Sequence, residues 1–243
     1  MLKRRYYICD LFGIPIYLDI SFAFILLMFA TSGGSLALGL TAALVLAISV
    51  VLHELGHSLT AQAFGYRTND ITISLLGGCA SLIALPRKNY QEFLTAIAGP
   101  AVSFVLAAIG YFSFDIFPIR SHYLAFVLSY LYGLNLMLGA FNLLPGFPMD
   151  GGRVFRSFMR AFMSKAKATF IAMWVGRVFA VLLALKGLHS IFSGGGWGFV
   201  TCLIAWMIWR EGYREYLQAR QEEDFRRWTQ ADFDARVSPP PYA

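Results

Sequence analysis

Two histidines four residues apart, with a glutamate beside the first, lie in the run "VVLHELGHSLTAQ" as His53, Glu54 and His57. On a helix, residues at this spacing share a face, so both imidazoles can be offered to one ion. HExxH is a zinc pattern in which the glutamate acts as general base, which assigns His53 and His57 as ligands and Glu54 as catalytic. The surrounding run is apolar enough to cross a membrane, where ionisable groups are expensive and mark function. The plain alternative is a pair of neutral, hydrogen-bonded core histidines with Glu54 at the wet end of the helix.

A catalytic zinc generally takes three protein ligands and keeps the fourth position for water. The remaining histidines, His122 and His189, fall near the opposite membrane face in the topology derived below. A third ligand is therefore sought in "FNLLPGFPMDGGR", residues 141–153. Pro145, Gly146 and Pro148 break the helix there, while Gly151 and Gly152 permit a tight turn, so Asp150 can point back into the membrane. Irregular backbone at membrane depth is tolerated where it is buried in protein or lines a wet cavity. One Zn²⁺ with neutral His53 and His57 and anionic Asp150 and Glu54 carries no net charge and can sit in a low dielectric. In the alternative, Asp150 caps the following helix and Arg153 and Arg156 face the cytosol.

The elements that must carry these residues follow from composition. Of 243 residues, 58% are hydrophobic and 14% charged, with 22 Phe and 12 Tyr, as in a polytopic membrane protein. Apolar stretches predict about six spans, at residues 16–31, 36–64, 92–112, 123–144, 169–191 and 197–209. Arg67, Arg87 and Lys88, and the group from Arg153 to Lys167, fall in alternate loops, as do Lys3, Arg4 and Arg5 before the first span. By the positive-inside rule both termini are cytoplasmic. The excess of +6 is therefore topological, implying no nucleic acid and only the lipid bilayer as its partner. Cys9, Cys79 and Cys202 form no CxxC and read as reduced, structural thiols.

Residues 71–76 alternate as in a strand, and Gly77-Gly78 breaks the run, which predicts a small membrane-associated β-hairpin or re-entrant segment. Its alternative is a plain cytosolic hairpin. An exposed edge there would let an unwound substrate add as a strand, which makes Ile73, Leu75, Gly77 and Gly78 candidate substrate-binding residues. The expected fold class is an all-α polytopic membrane protein with this β element. Residues 1–212 form the six-span domain, and residues 213–243 form a charged cytoplasmic tail ending in "SPPPYA", which is expected to be disordered.

"HELGH" in a span, "AGPAVSFVLA" at residues 98–107 and "NLLPGFPMDGG" beyond it resemble the site-2 protease family of intramembrane zinc metalloproteases. The resemblance covers residues 13–210. It implies one Zn²⁺ held by His53, His57 and Asp150, with Glu54 as base, and it places Asn142 as a residue that positions the substrate carbonyl or a ligand. It also implies hydrolysis of a peptide bond in or near the transmembrane helix of a single-pass membrane protein, in the cytoplasmic membrane of a prokaryote. Where many members carry His or another residue, this chain has Asp19, read as an inner-end cap. The chain is expected to have no room for a PDZ domain or a CBS pair, so regulation of that kind would be absent or would come from another polypeptide such as a separate membrane protein. The alternatives are a membrane metal transporter, whose polar path the bare outer halves of the spans do not supply, and an inactive protease-like scaffold. A di-iron desaturase needs more histidines than four.

Overall fold

The computed structural model describes residues 5–22, 24, 27–28, 35–74, 77–82, 88–194 and 198–237. The chain divides into two compact units, Met1–Leu143 and Leu144–Ala243.

The first unit begins with a hairpin of β1 (Arg5–Leu11) and β2 (Ile14–Asp19). Phe12 and Gly13 between the strands both have positive φ, as a tight two-residue turn requires. Helix α1 (Leu36–Ala63) follows, then β3 (Thr68–Ser74), β4 (Gly77–Leu82), α2 (Asn89–Ile116) and α3 (His122–Asn142). The strands make one sheet in the order β1-β2-β3-β4, with β2 and β3 parallel and the other pairs antiparallel. Ile14 and Ile16 of β2 and Ile71 and Ile73 of β3 alternate onto one face, where they pack with Phe22 and with Val50 and Leu55 of α1.

This sheet corrects two expectations. Residues 16–19, expected to begin the first span, end a strand instead, because the apolar run continues from strand into helix without a break that composition could register. Asp19 accepts a hydrogen bond from the Ser21 N–H at 2.8 Å, in keeping with its reading as a cap. Secondly, β3 has no open edge: Ile71, Thr72 and Ile73 are paired to β2 on one side and β4 on the other. The Ile73 side chain is core. The strand edges of this sheet are β1 and β4. Leu75 lies outside the described residues.

In the second unit α4 (Asp150–Met159) precedes α5 (Lys165–Phe192) and α6 (Gly198–Val237). Helices α5 and α6 run antiparallel in close contact. A Cβ on Gly187 would stand 2.6 Å from the Cys202 Sγ, and one on Gly198 would stand 2.6 Å from the Gly187 carbonyl oxygen. Small residues at such crossings let helix backbones approach where lipid gives no hydrophobic drive. Beyond the membrane-length part, Lys165 pairs with Glu222 at 2.6 Å. No break falls at position 212, where the charged tail was expected to separate: α6 passes straight through. The segment "SPPPYA" lies outside the described residues. Cys9 and Cys202 are free thiols.

Among the described residues α1, α2, α3 and α5 are long and apolar enough to cross a membrane. The apolar part of α6 ends at Trp209, before Arg210, too early for it to join them by length. Part of the expected first span, including residues 29–31, lies outside the described residues.

Candidate metal centre

Helices α1 and α2 pack closely because each presents a glycine to the other. A Cβ on Gly56 would lie 2.9 Å from the Ala98 carbonyl oxygen, and one on Gly99 only 2.2 Å from the His57 Nε2. Thr95, Gly99 and Ser103 recur every four residues on α2 and so form one stripe, which faces the histidines. His57 Nδ1 donates to the Thr95 carbonyl oxygen at 2.7 Å, and His53 Nδ1 lies 2.9 Å from the Ser103 hydroxyl. One turn earlier on α1, Ser49 is fully buried and accepts from the Asn135 Nδ2 of α3 at 2.8 Å.

The proton on His57 Nδ1 leaves its Nε2 as a bare lone pair. That atom is 3.2 Å from the His53 Nε2, and both rings are buried. Two ligands at zinc–nitrogen distance and a tetrahedral angle would stand roughly 3.3 Å apart. The pair therefore fits a divalent ion of this class, and each far nitrogen already has the partner that orients a metal-binding histidine. Glu54 is half-buried on α1 beside His53.

Asp150 belongs to the second unit. Met149 is the N-cap of α4, so Asp150 is the first helical residue and lies in the turn where a carboxylate is favoured by the helix dipole. The segment before it is held hard against α5. A Cβ on Gly146 would meet the Gly176 Cα at 2.5 Å, and one on Gly176 would meet the Phe147 carbonyl oxygen at 2.6 Å. Phe147 is fully buried, with the Arg156 guanidinium 4.8 Å above its ring. Arg156 does not face the cytosol: only 3% exposed, it pairs with Glu215 of α6 at 3.1 Å. Asn142 is the half-buried last residue of α3. Gly77 and Gly78 pair with Ser74 and Ile73 at the start of β4.

Sequence reasoning missed Thr95, Gly99, Ser103, Gly176 and the Arg156–Glu215 pair. The stretch "AGPAVSFVLA" was visible, but its part in the site is a missing side chain at Gly99 and one hydrogen bond at Ser103, which only the pairing of α1 with α2 reveals.

A four-stranded sheet packed on membrane-length helices, with a buried HExxH pair whose Nε2 atoms converge, is the arrangement of an integral membrane protein with a candidate metal centre. The chain belongs to peptidase family M50, whose model matches residues 41–120 and 118–185. It is 37% identical over 240 residues to the Synechocystis sp. protein sll0528, covering 92% of this chain and 62% of that one. To the zinc metalloprotease MJ0392 of Methanocaldococcus jannaschii it is 38% identical over 185 residues, covering 74% of this chain and 52% of that one. The chain thus spans about half to three-fifths of the length of these relatives. A solved structure of the site-2 protease from Methanocaldococcus jannaschii matches with a TM-score of 0.66 and 32% identity, over 87% of this chain and 95% of that one.

Proposed function

We propose that this chain is an intramembrane zinc endopeptidase that hydrolyses a peptide bond in or near the transmembrane helix of a single-pass membrane protein. The observation that carries the reading is the 3.2 Å convergence of the His53 and His57 Nε2 atoms, with each Nδ1 anchored to α2. Asp150 is the third ligand, on the strength of its place in "PMDGG" and the charge neutrality it completes. When bound, zinc polarises the scissile carbonyl and makes water acidic enough to be a nucleophile near neutral pH. Glu54 takes the proton from the attacking water and passes it to the leaving amine. Asn142, ahead of the broken segment, positions the substrate carbonyl. A helix satisfies its own backbone, so the substrate must unwind before its carbonyl can be reached. The unwound stretch adds as a strand at the edge of β4 that is unpaired among the described residues, where Gly77 and Gly78 allow close backbone approach.

The enzyme lies in the cytoplasmic membrane of a prokaryote with both termini inside, as the Lys and Arg distribution supports, and a separate membrane protein gates access to it. The test is role separation on purified protein. Glu54→Gln should lower cleavage of a reporter transmembrane helix by at least a hundredfold with zinc content unchanged. Asp150→Ala should lower both. Substantial proteolysis by Glu54→Gln would sink the mechanism.

A further inference from the structure

Arg177 lies about 18 Å along α5 from Lys165, inside the apolar stretch of that helix. Its guanidinium carbon is 4.8 Å from the Trp174 ring centre, 4.6 Å from Trp209 and 5.8 Å from Tyr213. Its Nε is buried and has no hydrogen-bond partner. Arg5, Arg153, Arg156, Arg214, Arg220 and Arg227 each meet a carboxylate. Among the described residues Arg177 meets none. Neither does Arg210, which stacks 5.4 Å over Trp206.

Trp206, Trp209, Arg210 and Tyr213 stand at i, i+3, i+4 and i+7 on α6, so Arg210 and the α6 rings over which Arg177 and Arg210 stack share one face of that helix. That face is outward: Trp174 is 48% exposed, Trp206 54%, Trp209 43% and Tyr213 46%. It also stands where the apolar run of α6 gives way to charge, the level at which Trp and Tyr mark a membrane interface. Ring faces stabilise a guanidinium's charge but cannot accept its in-plane N–H bonds in the way an oxyanion does. A guanidinium whose Nε is buried without an acid nearby is costly unless it finds an anion.

We infer that Arg177 and its aromatic cage, with Arg210 beside it, form a binding site for the headgroup phosphate of an anionic phospholipid. The phosphate meets the guanidinium edge, and the acyl chains lie along the exposed rings of the α5–α6 pair. An anionic lipid is required because two arginines without a carboxylate leave an excess of positive charge. A zwitterionic headgroup brings a cation of its own and does not neutralise it.

The test is lipid retention by the detergent-purified full chain in native mass spectrometry, after exposure to equimolar phosphatidylglycerol and phosphatidylcholine, with thermal melting measured in parallel. Wild type should retain one phosphatidylglycerol in preference to phosphatidylcholine. Arg177→Gln should weaken that retention roughly fivefold to tenfold, and Arg177→Lys, which keeps the charge but loses the planar fork, by a smaller factor. If Arg177→Gln does not fold, Arg177→Lys decides the matter. Phosphatidylglycerol should raise the melting temperature of wild type more than that of either variant, and millimolar inorganic phosphate should not substitute for it. Equal retention of the two lipids by wild type, undiminished retention in the folded variants, or an equal response to inorganic phosphate would each overturn the proposal.

Discussion

Gly99 decides whether His57 can keep its ring in place. A methyl group at this position would stand 2.2 Å from Nε2, the atom proposed to bind metal, and it would be rooted in the α2 backbone, which cannot swing aside. The imidazole would have to turn, breaking the bond from Nδ1 to the Thr95 carbonyl. We expect Gly99→Ala to weaken zinc binding about 10- to 100-fold, the range seen when support behind a ligand is lost. Competition against a chelator of known affinity measures this, and unchanged affinity would show that the ring has another resting place. Ser103→Ala, which removes only the hydroxyl near His53 Nδ1, should fall at the low end of the range. The proposed ligands and base could be read from the sequence because metal chemistry restricts residue type and spacing. Gly99 was not, since a glycine's role there is defined by the neighbour it makes room for.

Among the elements, the sheet was the least legible. One of its strands merges into an apolar run that reads as a span, and its parallel pairing joins Ile16 to Ile71 across the whole of α1. No local pattern announces a contact of that separation. Since β3 is internal, a proline at Ile73 would break an existing ladder and would not probe substrate docking. Strand β4 supplies the cleaner experiment. Successive residues point their N–H groups to opposite sides, so of Cys79→Pro and Ala80→Pro one loses its bond to β3 and the other loses only the free edge. The second should fold normally and cleave a transmembrane substrate at least tenfold more slowly; wild-type cleavage by both would remove strand addition from the mechanism. At the far end of the second unit, Glu223 accepts from the Ala166 N–H at 3.2 Å and from Arg227 at 2.6 Å, tying α6 to the first turn of α5. Burial pushes its carboxyl up, but the Ala166 N–H, the Ser164 hydroxyl and Arg227 together outweigh it and hold the group below the ordinary glutamate value of 4.5. A depressed folded value contributes stability above the unfolded one, lost as pH falls through the folded one. Glu223→Gln should therefore cost about 0.5–1 kcal/mol at pH 7, and the difference from wild type should shrink below about pH 4.5. A gap that persisted at pH 3 would show that its origin is not the charge.

For the molecule as a whole, the membrane fixes which loops meet which compartment, and connectivity turns that into a strict alternation. Helix α1 has 28 residues, about 42 Å at 1.5 Å each, enough to cross a hydrocarbon layer of about 30 Å with a turn or more to spare. If it runs from outside to inside, its N-cap Ser35 is external and the proposed ligands on its second half lie toward the cytoplasmic end. Lys88, the N-cap of α2, is then internal, and Ser121, the N-cap of α3, is external again. All three are exposed, so each can be read by chemistry. The Lys and Arg bias is what selects this orientation over its mirror, because translocating basic loops is unfavourable whereas bare ones cross freely. In a background with Cys9, Cys79 and Cys202 replaced, single cysteines at Ser35 and Ser121 should react with a membrane-impermeant maleimide added to intact cells. A cysteine at Lys88 should react only after the membrane is opened. Reaction at Lys88 in intact cells, with Ser35 protected, would invert the protein and put the zinc site at the outer end. A substrate would then be cut from the opposite side of the membrane. Labelling of Ser35 and Lys88 alike would mean that α1 does not cross the membrane.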